Sequence, residues 1–109
     1  MKLKQKKKFN TVSIMDCTLR DGSYSINFKF SKNDTKVICK FLDSHNIPFI
    51  EVGHGVGLGA SNMGFGKSKE TDETYIKEAR RFIKKGKLGT FCIPQIAKKK
   101  ASWPCFKVK

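Results

Sequence analysis

Phe49-Ile50-Glu51-Val52-Gly53-His54-Gly55 puts a short apolar run, interrupted by one carboxylate, between Pro48 and a series of glycines. A run of this length with a β-branched Ile and Val, bounded by Pro and Gly, reads as a buried strand rather than a helix. Reading backward, Asn46 and Pro48 end a preceding helix, because the residue before a proline avoids the α region. Ser31 is the expected N-cap of that helix, with Asp34 in its first turn, where a negative charge suits the dipole. Val37, Ile38, Phe41 and Leu42 share its apolar face. Further back, Val12-Ser13-Ile14-Met15-Asp16 alternates like a strand, and Asp21-Gly22-Ser23 reads as a turn. Reading forward, Gly53 to Gly66 is too glycine-dense for a helix. Thr71 or Asp72 caps a second helix with Tyr75, Ile76, Ala79, Phe82 and Ile83 on one face, and Gly86 closes it. Leu88-Gly89-Thr90-Phe91-Cys92-Ile93 is a third strand, stopped by Pro94.

The order is strand, helix, strand, helix, strand. The strands are mostly apolar on both sides, as in a parallel sheet buried on both faces. The expected class is therefore α/β. The repeat from Val12 to Phe49 to Leu88 is about 38 residues. A closed barrel needs eight such units, typically about 250 residues. A chain of 109 residues holds two units and a third strand, so it is either a small open sheet or the first part of a barrel cut short.

Composition excludes several classes. With 39% hydrophobic residues the chain is globular in character. No apolar run approaches the roughly 18 residues that a membrane span needs. The basic start has no apolar stretch behind it, so no secretory signal is expected and a cytoplasmic location is. A net charge of +14 invites a nucleic-acid reading, but five lysines lie in residues 1–8 and five in 98–109. Three arginines are few for reading phosphates or base edges. A small basic nucleic-acid-binding protein is thus the alternative, and contact with nucleic acid is expected to be non-specific. Cys17, Cys39, Cys92 and Cys105 form no C-x-x-C pair, and no histidine stands at zinc-finger spacing.

Two loops follow strand ends, where parallel α/β folds place their sites. In Asp16-Cys17-Thr18-Leu19-Arg20-Asp21-Gly22-Ser23, a carboxylate can bind a hard cation and a guanidinium can hold an anionic oxygen. The bland reading is a surface Arg-Asp pair worth little. Glu51 stands inside an apolar strand, where an unpaired charge is costly, and Arg20 from the neighbouring strand would pair with it. His54 is either a base or donor, or a histidine held by backbone hydrogen bonds. Gly55-Val56-Gly57-Leu58-Gly59-Ala60 fits a dinucleotide pattern formally. It fails in context, because Asn62-Met63-Gly64-Phe65-Gly66 prevents the helix and Arg80 and Arg81 stand where an acid is needed.

Three ordered motifs carry a resemblance: Asp16 to Ser23, Ile50-Glu51-Val52-Gly53-His54-Gly55 with Gly57-Leu58, and Lys87-Leu88-Gly89-Thr90-Phe91-Cys92-Ile93-Pro94. Over about residues 11–97 they resemble the HMG-CoA-lyase-like metal-dependent barrels with an Asp-Arg-Glu signature, most of all the 4-hydroxy-2-oxovalerate aldolase branch. The resemblance implies the first strands and helices of a (β/α)8 TIM barrel. It also implies a divalent metal, Mn²⁺ or Mg²⁺, and carbon–carbon bond cleavage beside a 2-oxo acid, with pyruvate leaving through an enolate. It makes Asp21 a metal ligand, Arg20 the group that stabilises the enolate oxygen, and Glu51 the residue that orients Arg20 or the waters on the metal. The branch also pairs with an acylating aldehyde dehydrogenase.

Two departures stand out. The branch has a catalytic histidine where this chain has Tyr24, which can donate a proton but, with pKa ≈ 10, is a poor base near neutrality, so another lyase or acyltransferase of the same barrel family is a further alternative. The family's His-x-His ligands have no counterpart, because His45 and His54 are the two histidines present. Residues 1–10 and 98–109 read as basic tails, and the second does not continue the resemblance. A frameshift in the lysine run Lys98-Lys99-Lys100 is one expectation, and a short paralogue with its own tail is the other. In either case the sheet would keep open edges and an uncovered inner face, so an inactive chain that self-associates is expected.

Overall fold

Ser31 begins the first helix with a reciprocal capping box. Its Oγ accepts the Asp34 N–H at 2.9 Å, and the Asp34 carboxylate accepts the Ser31 N–H at 2.8 Å. The computed structural model describes residues 11–97, and the elements within them run in the order read from the sequence. They are strand β1 (Met15–Leu19), helix α1 (Lys32–Ser44), strand β2 (Phe49–Val52), helix α2 (Asp72–Phe82) and strand β3 (Lys87–Gly89). Short 3₁₀ segments cover Asp21–Ile26 and Ala60–Met63. The three strands form one parallel sheet in the order β1-β2-β3, paired Asp16 to Ile50, Leu19 to Val52, Ile50 to Leu88 and Glu51 to Gly89.

Between Asp16 and Leu19 the β1 strand spends three steps where β2 spends two. This extra residue changes which side the following side chains take. Leu19 joins Ile50, Val52, Cys39, Tyr75 and Ala79 in the core beneath the helices. Arg20, one residue on, falls on the opposite side with Glu51.

Four boundaries differ from expectation. The first strand starts at Met15 rather than Val12, since Val12 and Ile14 lie outside the pairing and are exposed. The expected turn at Asp21-Gly22-Ser23 is the start of a six-residue 3₁₀ segment. The third strand ends at Gly89, and the backbone beyond it serves the glycine-rich loop, where the Leu58 N–H donates to the Phe91 carbonyl at 2.9 Å. Helix α2 ends at Phe82, with Ile83 as its cap, and not at Gly86. The N–H of Gly86 instead donates to Asp43 Oδ1 at 2.7 Å.

The buried stripe of α1 is also displaced. Thr35, Cys39 and Asp43 are buried, with Ile38 and Leu42 half-buried beside the core. Val37 and Phe41 face away, and the Phe41 ring lies on His45 at 4.3 Å. The small Thr35 and Cys39 side chains occupy the inner line of the helix, so the large apolar residues beside them are left outside. Burial pushes the Cys39 thiol up to about 12, so it acts here as a small apolar side chain.

Candidate functional site

The C-terminal ends of β1 and β2 bring Arg20 and Glu51 together. Arg20 Nε donates to Glu51 Oε1 at 2.9 Å, and Arg20 Nη1 donates to the Gly55 carbonyl at 3.1 Å. Nη1 also stands 3.5 Å from Asp21 Oδ1. Burial would favour the neutral guanidine, but the Glu51 carboxylate outweighs it and raises the Arg20 pKa above its ordinary value. Backbone geometry fixes the base of the side chain, since Ser23 Oγ donates to the Arg20 carbonyl at 2.7 Å. The Phe91 ring covers the guanidinium, its centroid 4.5 Å from Cζ. Nη2 donates to no oxygen acceptor among the described residues, and the Cys17 thiol lies within hydrogen-bonding reach of the Arg20 and Glu51 side chains.

The other sequence-read residues sit differently. Asp21 is 67% exposed at its side chain, beside the guanidinium. Tyr24 is 51% exposed and rests against Gly55, where an added Cβ would stand 2.6 Å from its ring. His54 is 1% exposed and wholly engaged by backbone. Its Nδ1 accepts the Val56 N–H at 3.0 Å, which leaves the proton on Nε2 to donate to the Gly66 carbonyl at 2.9 Å. Burial lowers its pKa and keeps the ring neutral. With both nitrogens bonded to backbone, His54 takes the backbone-held arrangement and braces the loop.

Phe28 was not singled out in the sequence. Its ring stacks on His54 at 3.9 Å, touches the Tyr24 ring edge-on at 5.2 Å, and fills the space that side chains at Gly55 and Gly66 would need. Asn27 and Phe28 both have positive φ, at 53° and 62°. Such geometry in a bulky residue is uncommon and costs about 1–3 kcal/mol. The Phe28 N–H to the Ser23 carbonyl at 2.7 Å and its own carbonyl to the Lys69 N–H at 3.0 Å hold it there. No local signal marks an αL phenylalanine, although Asn27 before it is a residue that tolerates that region.

A divalent cation prefers several oxygen ligands at close range. Among the described residues, no group of three or more His, Cys, Asp and Glu side chains could hold one. Asp16 is taken by the Thr18 N–H at 2.9 Å and the Thr18 hydroxyl at 3.2 Å, and Glu51 by Arg20. That leaves Asp21, which is one carboxylate and does not make a metal site by itself.

A parallel β-α-β-α-β order, with its polar groups gathered where the strands end, defines the first strands and helices of a (β/α)8 TIM barrel. The chain belongs to the HMGL-like family, whose family model matches residues 11–107. It is 40% identical over 85 residues to an oxaloacetate decarboxylase of Mycobacterium tuberculosis, covering 78% of this chain and 25% of that protein. It is 39% identical over 89 residues to a 4-hydroxy-2-oxovalerate aldolase of Geobacillus genomosp. 3, covering 82% and 26%. A 4-hydroxy-2-oxovalerate aldolase 2 of Nocardia farcinica is 38% identical over 87 residues, covering 80% and 25%. The chain thus spans about a quarter of the length of the curated relatives it matches. No helix among the described residues is long and apolar enough to cross a membrane.

Proposed function

We propose that this chain carries the enolate-binding part of a lyase that breaks a carbon–carbon bond beside a 2-oxo acid, with 4-hydroxy-2-oxovalerate and release of pyruvate as the leading case. The observation that carries this is the Arg20 guanidinium, fixed by Glu51 and Gly55, with Nη1 also beside an exposed Asp21 and Nη2 bonded to no oxygen among the described residues. Cleavage beside a carbonyl drives an electron pair onto the carbonyl oxygen. A pre-oriented guanidinium donor meets that charge without reorganising, and loss of one such donor typically costs about 10²–10³ in rate. Glu51 orients Arg20, Asp21 contributes one carboxylate toward a divalent cation (Mn²⁺ or Mg²⁺), and Tyr24 offers a proton. The donors described do not complete a metal site, and the sequence has no His-x-His. The 109-residue chain alone is accordingly proposed to be inactive.

Decarboxylation of a 2-oxo diacid is the second reading, favoured by Tyr24 and by the engaged nitrogens of His54. Aldol cleavage needs a base to take the substrate hydroxyl proton. Decarboxylation needs none: CO₂ departs, the bonding pair becomes the enolate, and the Tyr24 hydroxyl can return a proton to carbon.

Oxalate, a stable planar dianion, is the probe for the shared enolate site. Titrated at low salt by calorimetry, it should bind the wild-type chain and bind Arg20→Lys at least about tenfold more weakly, since lysine cannot reproduce the planar fork. Equal affinity for both proteins would remove Arg20 from the site. Val12, Ile14 and Met15, exposed at and just before the start of β1, which is an edge strand among the described residues, favour self-association of the chain. Sedimentation velocity showing a monomer at tens of micromolar would end that part of the proposal.

A further inference from the structure

The Arg20 guanidinium is gripped along its edges by Glu51 and Gly55, but these contacts alone leave its plane free to tilt about the line through the two held nitrogens, Nε and Nη1. Phe91 supplies the missing constraint, with its ring lying over the guanidinium at 4.5 Å from Cζ. Phe91, although 38% exposed, is held through its backbone and by a close glycine. Its carbonyl accepts the Leu58 N–H at 2.9 Å. Gly57, at φ 117°, lies so close that an added Cβ would stand 2.8 Å from that carbonyl oxygen and 3.2 Å from the ring. Gly59 approaches the Ile96 carbonyl in the same way, at 2.8 Å from its would-be Cβ. The glycines after β2 therefore have a structural use. They let the loop backbone lie directly on residues 91–97 and press Phe91 into place.

We propose that Phe91 is a positioning residue for Arg20: it fixes the plane of the guanidinium, so that Nη2 is presented in one orientation to an anionic oxygen. The inference rests on the reading of Arg20 as an oxyanion donor given above. Phe91 acts through Arg20 and needs no contact with substrate. A cation–π contact between partly desolvated groups, at about 1 kcal/mol, corresponds to roughly a fivefold effect.

The test uses the full 109-residue chain labelled with ¹⁵N, and the variants Phe91→Leu and Phe91→Tyr. Phe91→Leu keeps apolar bulk and removes the π face, whereas Phe91→Tyr keeps the face. The readout is hydrogen exchange at Arg20 Nε–H, assigned by its loss in Arg20→Lys, together with oxalate affinity. Exchange should quicken about fivefold in Phe91→Leu and oxalate should bind about fivefold more weakly, with Phe91→Tyr restoring both toward wild type. Unchanged exchange in a Phe91→Leu protein whose backbone spectrum matches wild type would overturn the proposal. So would failure of Phe91→Tyr to rescue, or a wild-type Arg20 Nε–H that exchanges at the rate of a free arginine. If exchange responds as expected while oxalate binds Arg20→Lys as well as wild type, the positioning stands and the enolate reading falls. The two failures are therefore separable.

Discussion

Asp43 and Glu51 are buried to the same degree, at 5% and 6% exposed, at opposite ends of the sheet, and they are satisfied in opposite ways. Asp43, at the end of α1, accepts the N–H groups of Lys84, Lys85 and Gly86 at 2.7–3.1 Å, just before β3 begins. Its burial opposes ionisation, but those three donors outweigh it and lower its pKa. Glu51, near the other end of β2, is met by one charged side chain whose remaining donors are not all used. Backbone donors cannot be lent to a ligand without unravelling a turn, whereas a guanidinium can serve a carboxylate and an anion together. Under the function proposed above, the Asp43 end serves stability and the Glu51 end chemistry, the division of labour common to barrels.

The largest effect that could break this comparison is at Glu51. Glu51→Ala leaves Arg20 buried without its partner and should cost about 3–5 kcal/mol, read as a lower urea midpoint. A loss under about 1 kcal/mol would mean that water already compensates Arg20. Asp43→Ala should cost about 2–3 kcal/mol by stranding three N–H groups, while leaving oxalate affinity unchanged. If oxalate binding weakened as well, the two ends would be coupled and the division drawn above would fail.

Acid sharpens the contrast by smaller amounts. Asp43 has a depressed pKa when folded, so its contribution is present above the ordinary aspartate value near 3.9 and is lost as pH falls through the lower folded value. His54 is also depressed when folded, and the unfolded chain therefore binds the extra proton first. Stability should begin to decline as pH drops below about 6.5, well before the carboxylate region. His54→Gln should remove that upper step from a pH series of urea melts and leave the step below about pH 4. A wild-type profile flat from pH 7 to 5 would contradict the neutral, backbone-held imidazole.

The chain order was legible because each helix and strand carries its own period and cap. Ser31 and Thr71 both cap where expected, and the strand at Phe49–Val52 has the bounds read for it. Glu51 was legible as a residue needing a partner, since a charge in an apolar strand needs one, and Arg20 is that partner at 2.9 Å. The starts and ends of β1 and β3 were not, because pairing with β2 sets them and Val12 and Ile14 carry the same alternation outside the pairing as inside. Asp43 left a faint trace: an acidic side chain in the last turn of a helix opposes the dipole, so another contact must hold it there. Phe28 and Phe91 left none. Their roles depend on glycines distant in sequence, and an aromatic residue in a loop looks the same whether it covers a guanidinium or faces water.

The extra residue in β1 has a consequence for descent. Side chains along that strand can be exchanged one at a time, each at a local cost. Its length can also vary at this one place, because losing a single codon between Asp16 and Leu19 would bring three steps down to the two of β2 and leave Leu19 opposite Val52, with Arg20 still on the Glu51 side. Lineages that keep the Arg20–Glu51 pair are therefore free to differ in the spelling of this strand and, at the irregularity alone, by one residue in its length.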